Sequence, residues 1–442
     1  MTKEDRLTNV ISRYLVDERI GIIHKLRERR STHDYSGLYD FVSIAAHPMA
    51  MPTDLHAVYG GGDAQRVSAR AAAIGEAVER YCLGIITERE SDLSRIEEKS
   101  DAACSFTDLC WFLDEQYSAE SFQLDKPEPS WEYRWSTGIS LCSDSLASLP
   151  SSLVYLPYQP LSGERVTTFQ TSVGTSCGRS FEDAAARAVL ELIERDSLTI
   201  CWESKVAFPP VDQKAVDRVA KDLFSQMPIS LRAFDLSSDL GIPVLLAVAM
   251  AEEGGPAIAI GTAANINPHV ALRRAIAESI TSWRSTQFLI LDQSLDIDEV
   301  ELTMLSGANL PAHSWYYAFP KARTHFDFLL ESKIPERLVE DCGQIPMHLW
   351  NAPCTKGALA ICREQLSAVG HDAVLFDLTL ADIEQVGLYV VRAVAPSLVR
   401  PTISLTGRHL ANPRIRMIPW RLNYCPHPVP IASLLTNVAP SP

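Results

Sequence analysis

Apolar and polar residues along the chain follow two periods, one typical of strands and one typical of amphipathic helices. Continuous apolar runs such as IPVLLAVAMA at 242–251 predict buried strands, and alternating segments such as RVTTFQTSVGTSCGRS at 165–180 predict half-buried ones. The same criteria predict further strands at 151–161, 256–264, 372–379 and 387–396. We therefore expect several sheets in addition to helices.

An N-terminal helix is predicted within residues 1–50, and three further helices each follow a strand-like segment that contains glycine. Of these three, the first covers about 66–84, the second runs to about Trp202, and the third begins at Pro268. Glu182 and Asp183 stand near the start of the second helix, where acidic side chains suit the helix dipole.

Glutamates recur at matched positions of these helices. AIGEAVER at 73–80 and VLELIER at 189–195 share a Glu-x-x-Glu-Arg spacing, and RAIAESITS at 274–282 carries the first glutamate of the pattern. Because a helix turns about 100° per residue, positions i, i+3 and i+4 lie in one narrow sector. The recurrence predicts an internal repeat of a strand–loop–helix unit.

A surface ion pair is the simplest alternative for each segment, since Glu four residues before Arg stabilises a helix by roughly 0.3 kcal/mol. However, the pattern occurs twice, and its neighbours along the helix are small and apolar. Oxygen ligands without His or Cys suit Mg²⁺, and arginines suit phosphate groups. We therefore expect a nucleotide–Mg²⁺ site, although the chain has no GxxxxGK[ST] loop.

Composition narrows the class of protein. The 442 residues carry a formal net charge of −15, which argues against nucleic-acid binding, and no apolar run is long enough to span a bilayer. The charged N-terminus lacks a signal-peptide core, so a cytoplasmic protein is expected. The ten cysteines form no CxxC pair and no zinc-ligand spacing with histidine, so we expect reduced thiols.

Four segments in order resemble the YcaO superfamily, whose members are ATP-dependent enzymes that modify backbone amides of ribosomally made peptides. These segments are ARAAAIGEAVERYC at 69–82, AAARAVLELIERDS at 184–197, GTAANINPHVALRRAIAES at 261–279 and DLTLADIEQVGLYVVRAVAPSL at 377–398. PHPVP at 426–430 resembles the C-terminal PxPxP motif of the azoline-forming cyclodehydratase branch. The chain departs from the family at Ala72, where serine is usual, and at Thr281 and Ser282, where glutamine often stands.

The resemblance implies an α+β fold of the YcaO type, with internally repeated strand–helix units and glutamate-bearing helices around an ATP cleft. The catalytic domain is expected at 55–430, with a peripheral segment at 85–132. Residues 1–54 are expected to form an N-terminal extension that is a candidate surface for partner contact, and 431–442 a C-terminal tail.

The resemblance also implies the site residues, with ATP and Mg²⁺ as the cofactors. Nucleotide binding is assigned to Glu76, Glu79, Arg80, Glu191, Glu194, Arg195 and Glu278. The five glutamates of this set are also assigned as Mg²⁺ ligands. Catalysis is assigned to Pro426, Pro428 and Pro430, because the Pro-rich motif of the cyclodehydratase branch reaches the active site.

The implied reaction is cyclodehydration of a precursor peptide. A Cys, Ser or Thr side chain attacks the preceding amide carbonyl, ATP phosphorylates the amide oxygen, and phosphate departs to leave thiazoline or oxazoline. The expected partners are the ribosomal precursor peptide, a separate protein that binds its leader, and a flavin dehydrogenase in the same complex. A homodimer is also expected.

Other functions remain open from the sequence. A YcaO-type thioamide or amidine synthetase would use the same activation with another nucleophile, and a non-catalytic scaffold would not use it at all. A more distant alternative is a serine hydrolase, because GTSCG at 174–178 matches a nucleophile elbow, with Ser176, Asp377 and His409 in chain order.

One further expectation concerns the C-terminal arginines. The stretch 385–442 contains no Asp or Glu, and its arginines include Arg392, Arg408 and Arg414. We expect these side chains to contribute to the path of the phosphate or the peptide.

Overall fold

The computed structural model describes most of the chain. The described residues are 3–29, 37–45, 58–86, 93–120, 122–224, 227–252, 254–292, 300, 315–351, 356–402 and 406–436. The strands are β1 Ile23–Arg29, β2 Tyr39–Ala45, β3 Val58–Asp63, β4 Trp135–Ser140, β5 Leu146–Pro150, β6 Thr175–Gly178, β7 Ile229–Asp235, β8 Val244–Ala251, β9 Ile258–Ala264, β10 Val374–Asp377 and β11 Tyr389–Val394. The helices are α1 Lys3–Leu15, α2 Arg66–Leu83, α3 Asp114–Tyr117, α4 Phe181–Ser204, α5 Gln213–Leu223, α6 Pro268–Asp292, α7 Asp327–Leu330, α8 Lys356–Ala368, α9 Ala381–Gln385, α10 Arg414–Arg421 and α11 Ile431–Thr436.

The strands form three antiparallel sheets, with orders β1-β2-β3, β5-β4-β10-β11-β6 and β7-β8-β9. A long helix packs on each sheet: α2 on β2 and β3, α4 on β6 and β11, and α6 on β8 and β9. Antiparallel sheets with helices packed on them characterise the α+β class. The predicted mixture of helices and sheets is therefore confirmed.

The predicted strands are confirmed where the apolar runs are continuous. β8, β9, β10 and β11 lie within 242–251, 256–264, 372–379 and 387–396. The strand predicted at 151–161 is wrong, since residues 151–153 form a 3₁₀ turn and a loop follows. Pro157 and Pro160 cannot donate to a strand ladder, which explains the difference. In the segment 165–180, only β6 is a strand.

Glycine and alanine at matching positions let each long helix approach its sheet closely. A Cβ on Gly61 of β3 would lie 2.5 Å from the Ala69 carbonyl oxygen and the Ala73 nitrogen in α2. A Cβ on Gly261 of β9 would lie 2.3 Å from the Ala275 oxygen and the Ser279 nitrogen in α6. Such distances are far below van der Waals contact, so glycine at these positions is a packing requirement.

Helix α4 lies at the centre of the molecule. The Ser180 hydroxyl caps its first turn by accepting a hydrogen bond from the Asp183 N–H at 3.2 Å. Most of its side chains are buried, including the charged Asp196 and Glu203. The helices α8, α10 and α11 pack against it, so the C-terminal part of the chain contributes to its environment.

The segments expected at the margins of the catalytic domain are joined to it in the structure. β1 and β2 pair with β3 in one sheet, so the expected boundary at residue 54 separates strands of a single sheet. Leu109 and Trp111, in the segment 85–132, are buried. Leu434 of α11 is also buried, so the part of the expected tail that the structure describes packs on the core.

Across the described ranges, no helix combines the length and the apolar composition that a membrane crossing requires.

We predict that Gly261→Ala destabilises the protein, because the added methyl group would overlap the backbone of α6. The expected loss is at least about 1–3 kcal/mol in the free energy of unfolding, measured by urea denaturation. Gly84→Ala is the matched control, since its Cβ would have no neighbour closer than 3.5 Å. Equal stability of the two variants would contradict the packing requirement.

Candidate functional site

A cavity of about 1070 Å³ lies among α2, α4, α6 and the strands that precede them. All seven residues assigned to nucleotide binding line it: Glu76, Glu79, Arg80, Glu191, Glu194, Arg195 and Glu278. The structure therefore brings together side chains from three helices that are distant in sequence.

The first glutamate of each helix accepts a hydrogen bond from the backbone that leads into that helix. The three bonds run from Gly60 N to Glu76 Oε2 at 3.1 Å, from Gly174 N to Glu191 Oε2 at 3.0 Å, and from Thr262 N to Glu278 Oε2 at 3.1 Å. Each bond fixes the carboxylate against its own strand or loop, so the three glutamates have equivalent anchors.

The second glutamate reaches the strand of the next helix. Glu79 of α2 accepts from Cys177 N of β6 at 2.8 Å. Glu194 of α4 accepts from Ala264 N of β9 at 3.1 Å and from the Thr262 hydroxyl at 2.6 Å. These carboxylates hold neighbouring units together.

Helix α6 differs at the corresponding position, where Thr281 replaces the second glutamate. Its hydroxyl donates to the Ala277 carbonyl at 2.9 Å, within the same helix. Its side chain also lies against Gly62 of β3, because a Cβ on Gly62 would be 2.4 Å from the Thr281 hydroxyl. The third helix therefore meets the first strand through a hydroxyl side chain and a glycine.

Burial disfavours the charged form of these carboxyl groups. It raises the pKa of Glu79 to about 8 and that of Glu278 to about 7. It also raises the pKa of Glu76 and Glu191. Arg80 lies 3.4 Å from Glu76, and Arg195 lies 3.7 Å from Glu194. The lining of the cavity carries eight acidic side chains and six arginines, an excess of acidic groups that favours the binding of additional cations.

Comparison with known proteins places the chain in a family. The family model described as "YcaO cyclodehydratase, ATP-ad Mg2+-binding" matches residues 60–399. The chain belongs to the YcaO family. The predicted membership is confirmed, and so are the predicted cofactors ATP and Mg²⁺. An uncharacterised protein of Methanothermobacter thermautotrophicus is 25% identical over 348 residues, which cover 77% of this chain and 81% of that protein.

Three solved structures share the YcaO fold. The chain matches a structure described as "Heterocyclase in complex with substrate and Cofactor" with a TM-score of 0.78 and 20% identity, over 98% of this chain and 56% of the other. It therefore spans little more than half of that heterocyclase. It matches YcaO from Methanopyrus kandleri, bound with AMPPCP and Mg²⁺, with a TM-score of 0.59 and 18% identity, over 90% and 92% of the chains. The third is the E. coli microcin synthetase McbBCD complex, with a TM-score of 0.59 and 13% identity, over 87% and 90%.

The donor set of the cavity fits the family's cofactors. Within the described part of the chain, no three His, Cys, Asp or Glu side chains converge into a complete metal site. Mg²⁺ bound with a nucleotide needs only one or two carboxylates, since phosphates and waters complete its shell. The cavity supplies carboxylates on three helices and arginines for phosphate. These residues would hold Mg²⁺–ATP without a complete protein cage.

The three prolines assigned to catalysis are not at this cavity. Pro426, Pro428 and Pro430 are all described, and none of them lines it. The segment is held by Arg416, whose Nε donates to the Val429 carbonyl at 2.7 Å and whose carbonyl accepts from Val429 N at 3.2 Å. The geometry gives the catalytic role of these prolines no support, and that role stays a prediction.

The serine hydrolase alternative is wrong in its geometry. Ser176 lines the cavity, but His409 is buried elsewhere, and its ring nitrogens bond Thr168 at 2.7 Å and the Pro401 carbonyl at 3.1 Å. Burial lowers the pKa of His409 to about 3, so the ring stays neutral. Asp377 accepts from Thr379 N at 3.0 Å. The three side chains therefore do not form a catalytic triad.

None of the three C-terminal arginines lines the cavity, so the structure gives no support to their expected contact with phosphate, and a role in the peptide path stays a prediction. Arg408 pairs with Glu203 at 2.5 Å, and Arg414 pairs with Asp196 at 2.7 Å. These pairs explain why α4 can bury two carboxylates. Arg408 and Arg414 thus neutralise buried acids of α4.

Arg392 contacts the backbone segment that anchors Glu191. Its Nη1 donates to the Val173 carbonyl at 2.5 Å, and the N–H of the following residue, Gly174, donates to Glu191. Gly174 has φ of +88°, a conformation that favours glycine. Sequence reasoning interpreted this glycine as part of a nucleophile elbow, but the structure shows that it orients an N–H towards a glutamate.

The buried acids predict a pH dependence of stability. The pKa of Glu79 rises from 4.5 to about 8 on folding, so the folded protein binds this proton more tightly than the unfolded chain does. The nucleotide-free protein should therefore lose stability as the pH rises between these values. Glu79→Gln should reduce the loss, measured as the urea midpoint at several pH values. The exposed Glu97→Gln should keep the wild-type slope, and a wild-type slope in Glu79→Gln would contradict the assignment.

We predict that Arg414→Met destabilises the fold. The change would leave Asp196, which is fully buried, without its guanidinium partner. The expected loss is about 3–5 kcal/mol in the free energy of unfolding, measured by urea denaturation. Arg363→Met is the control, because its pair with Asp144 is largely exposed and should contribute less than about 1 kcal/mol. A small effect at Arg414 would mean that its role is not structural.

Proposed function

We propose that the protein is an ATP-dependent peptide cyclodehydratase. Its substrate would be a ribosomally made precursor peptide, and its products thiazoline or oxazoline rings formed from Cys, Ser or Thr. The family description supports this proposal, and so does the shared fold of a heterocyclase. The single observation that carries it is the convergence of five glutamates and two arginines from three helices on one cavity.

The chemistry requires an activated amide oxygen. The substrate side chain adds to the preceding carbonyl carbon, and the resulting oxygen is a poor leaving group. ATP supplies the phosphoryl group with which that oxygen departs as phosphate, and Mg²⁺ offsets phosphate charge. The balance is one ATP consumed per ring, with ADP, phosphate and the azoline as products.

The residues of the chain would position these groups and stabilise charge. Glu76, Glu191 and Glu278 are each anchored by a backbone N–H, so their carboxylates are oriented before a metal binds. Arg80 and Arg195 line the same cavity and suit phosphate oxygens. Preorganised charges of this kind are the main catalytic contribution in phosphoryl transfer. No covalent enzyme nucleophile is required.

We also propose that the three strand–helix units are copies of an internal repeat around an ATP cleft. Equivalent glutamate–backbone bonds and tightly packed glycines in the strands support this interpretation. The catalytic domain would cover residues 55–430. The pairing of β1 and β2 with β3 suggests that residues 1–54 contribute to the same body while presenting a surface to a partner.

The proposed partners are the precursor peptide and a separate protein that binds its leader. A similar fold occurs in the McbBCD complex, which supports function within an assembly. A flavin dehydrogenase in the same complex and a homodimer belong to the same proposal. The reaction is proposed to take place in the cytoplasm.

A thioamide or amidine synthetase of the YcaO type is the second candidate. PHPVP was the feature that favoured azolines, and its prolines do not line the cavity. The carboxylate and arginine set would serve all three reactions, because each begins with the same activated oxygen. The product therefore has to be determined by experiment.

We predict that the purified protein, with ATP, Mg²⁺, the leader-binding partner and a Cys-containing precursor, forms ADP and removes one water per modified residue. Mass spectrometry of the peptide would measure the change. Glu76→Gln should lose at least about 100-fold in peptide-dependent ADP release, because it removes a carboxylate at the proposed metal site. The exposed Glu97→Gln should retain wild-type activity.

The products separate the candidates. Exchange of oxygen for sulfur would overturn cyclodehydration in favour of a thioamide. An unmodified peptide together with full activity of Glu76→Gln in ATP hydrolysis would contradict both the reaction and the site.

A further inference from the structure

A second, small cavity lies behind the nucleotide site. Its volume is about 20 Å³, and three arginines line it: Arg195, Arg392 and Arg400. The remaining lining is largely apolar and comes mostly from β11 and the segment that follows it. This volume is sufficient for a water molecule or a monatomic ion.

Two of these arginines lack an acidic partner. The side chain of Arg392 donates to the carbonyls of Val173, Thr171 and Leu153 and to the Thr175 hydroxyl. Within the described residues, neither Arg392 nor Arg400 forms a salt bridge. Their exposed fractions are only 2% and 8%. The contrast with Arg408 and Arg414, which both pair with carboxylates, is clear.

Several donors of the pair are also unused. Nε of Arg392, and Nε and Nη2 of Arg400, are buried and have no hydrogen-bond partner in the described structure. The Arg400 guanidinium lies 5.2 Å from the centre of the Trp111 ring. A cation–π contact of this kind offsets part of the cost of burial, but it cannot accept the free N–H groups as an anion would.

The charges of the two arginines are poorly compensated. Burial lowers the pKa of Arg392 to about 9 and that of Arg400 to about 10, and the nearby charge of Arg400 contributes to the shift at Arg392. Glu191 acts in the opposite direction on Arg392, but it also interacts with Arg195 and Arg80. Two buried cations beside a cavity therefore favour a counter-ion.

We propose that this cavity binds a small inorganic anion, of the size and charge of chloride, between Arg392 and Arg400. The anion would neutralise one of the two buried charges and accept hydrogen bonds from guanidinium N–H groups. The site is separate from the nucleotide site and does not depend on the proposed function.

The anion would be coupled to the nucleotide cavity by two routes. Arg195 lines both cavities. Arg392 also bonds the Val173 carbonyl, and the next N–H anchors Glu191. An anion that orders these arginines would stabilise the rear wall of the nucleotide site. Anion binding and nucleotide binding are then expected to favour each other.

The test uses the full chain without nucleotide, at constant ionic strength. Chloride or bromide should raise the Tm by about 2 °C or more relative to gluconate, which is too large for the cavity. Arg400→Met should abolish this difference. Arg165→Met should keep it, because Arg165 is largely exposed and lies outside the cavity.

A bromide-soaked crystal of the unmodified protein gives an independent measurement. An anomalous peak between Arg392 and Arg400 would support the proposal even if Arg400→Met failed to fold. A water or an empty cavity at that position would overturn it, as would equal responses of the wild type and Arg400→Met to chloride. Stabilisation by inorganic phosphate alone, without any response to halide, would overturn the assignment to a chloride-sized ion.

Discussion

The hydrogen bonds between glutamate carboxylates and backbone N–H groups are the interactions on which the rest of the structure depends. A buried carboxylate requires donors, and a strand that ends beside a helix has N–H groups to offer. Glu76, Glu191 and Glu278 use those of their own units, while Glu79 and Glu194 use those of the next. Glu79 and Glu194 therefore both line the cavity and connect neighbouring helices, so a change at either of them is expected to affect the fold as well.

This arrangement leaves part of the negative charge in the cavity uncompensated. Burial opposes the charge on Glu79 and Glu191, and the arginines that line the cavity are fewer than its acidic side chains. Mg²⁺ would add positive charge beside the glutamates, and the phosphates of the nucleotide would contact the arginines. The ATP and Mg²⁺ binding that describes the family thus agrees with the charges that line the cavity.

Helix faces and buried strands could be predicted from the sequence, because their residues are close together along the chain. Contacts between residues far apart in the sequence could not. The Glu-x-x-Glu-Arg spacing encodes one helix face, and continuous apolar runs encode β8, β9 and β11. Arg414 and Asp196 are separated by 218 residues, so composition alone did not predict their ion pair. The GTSCG segment matches the string of a nucleophile elbow, but in the structure the positive φ of Gly174 directs its N–H towards Glu191. A short motif of this kind therefore indicates a backbone conformation more reliably than it indicates a catalytic role.

The hydroxyl at Thr281 has a consequence for any ligand that enters the cavity. Three identical helices would surround a ligand with threefold equivalence and accept it in several rotated poses. The place where α6 meets β3 presents a threonine against Gly62, while the other two meeting points present carboxylates. A ligand with one charged end and one uncharged end would therefore meet unlike groups at the three meeting points, and one orientation of it would be favoured.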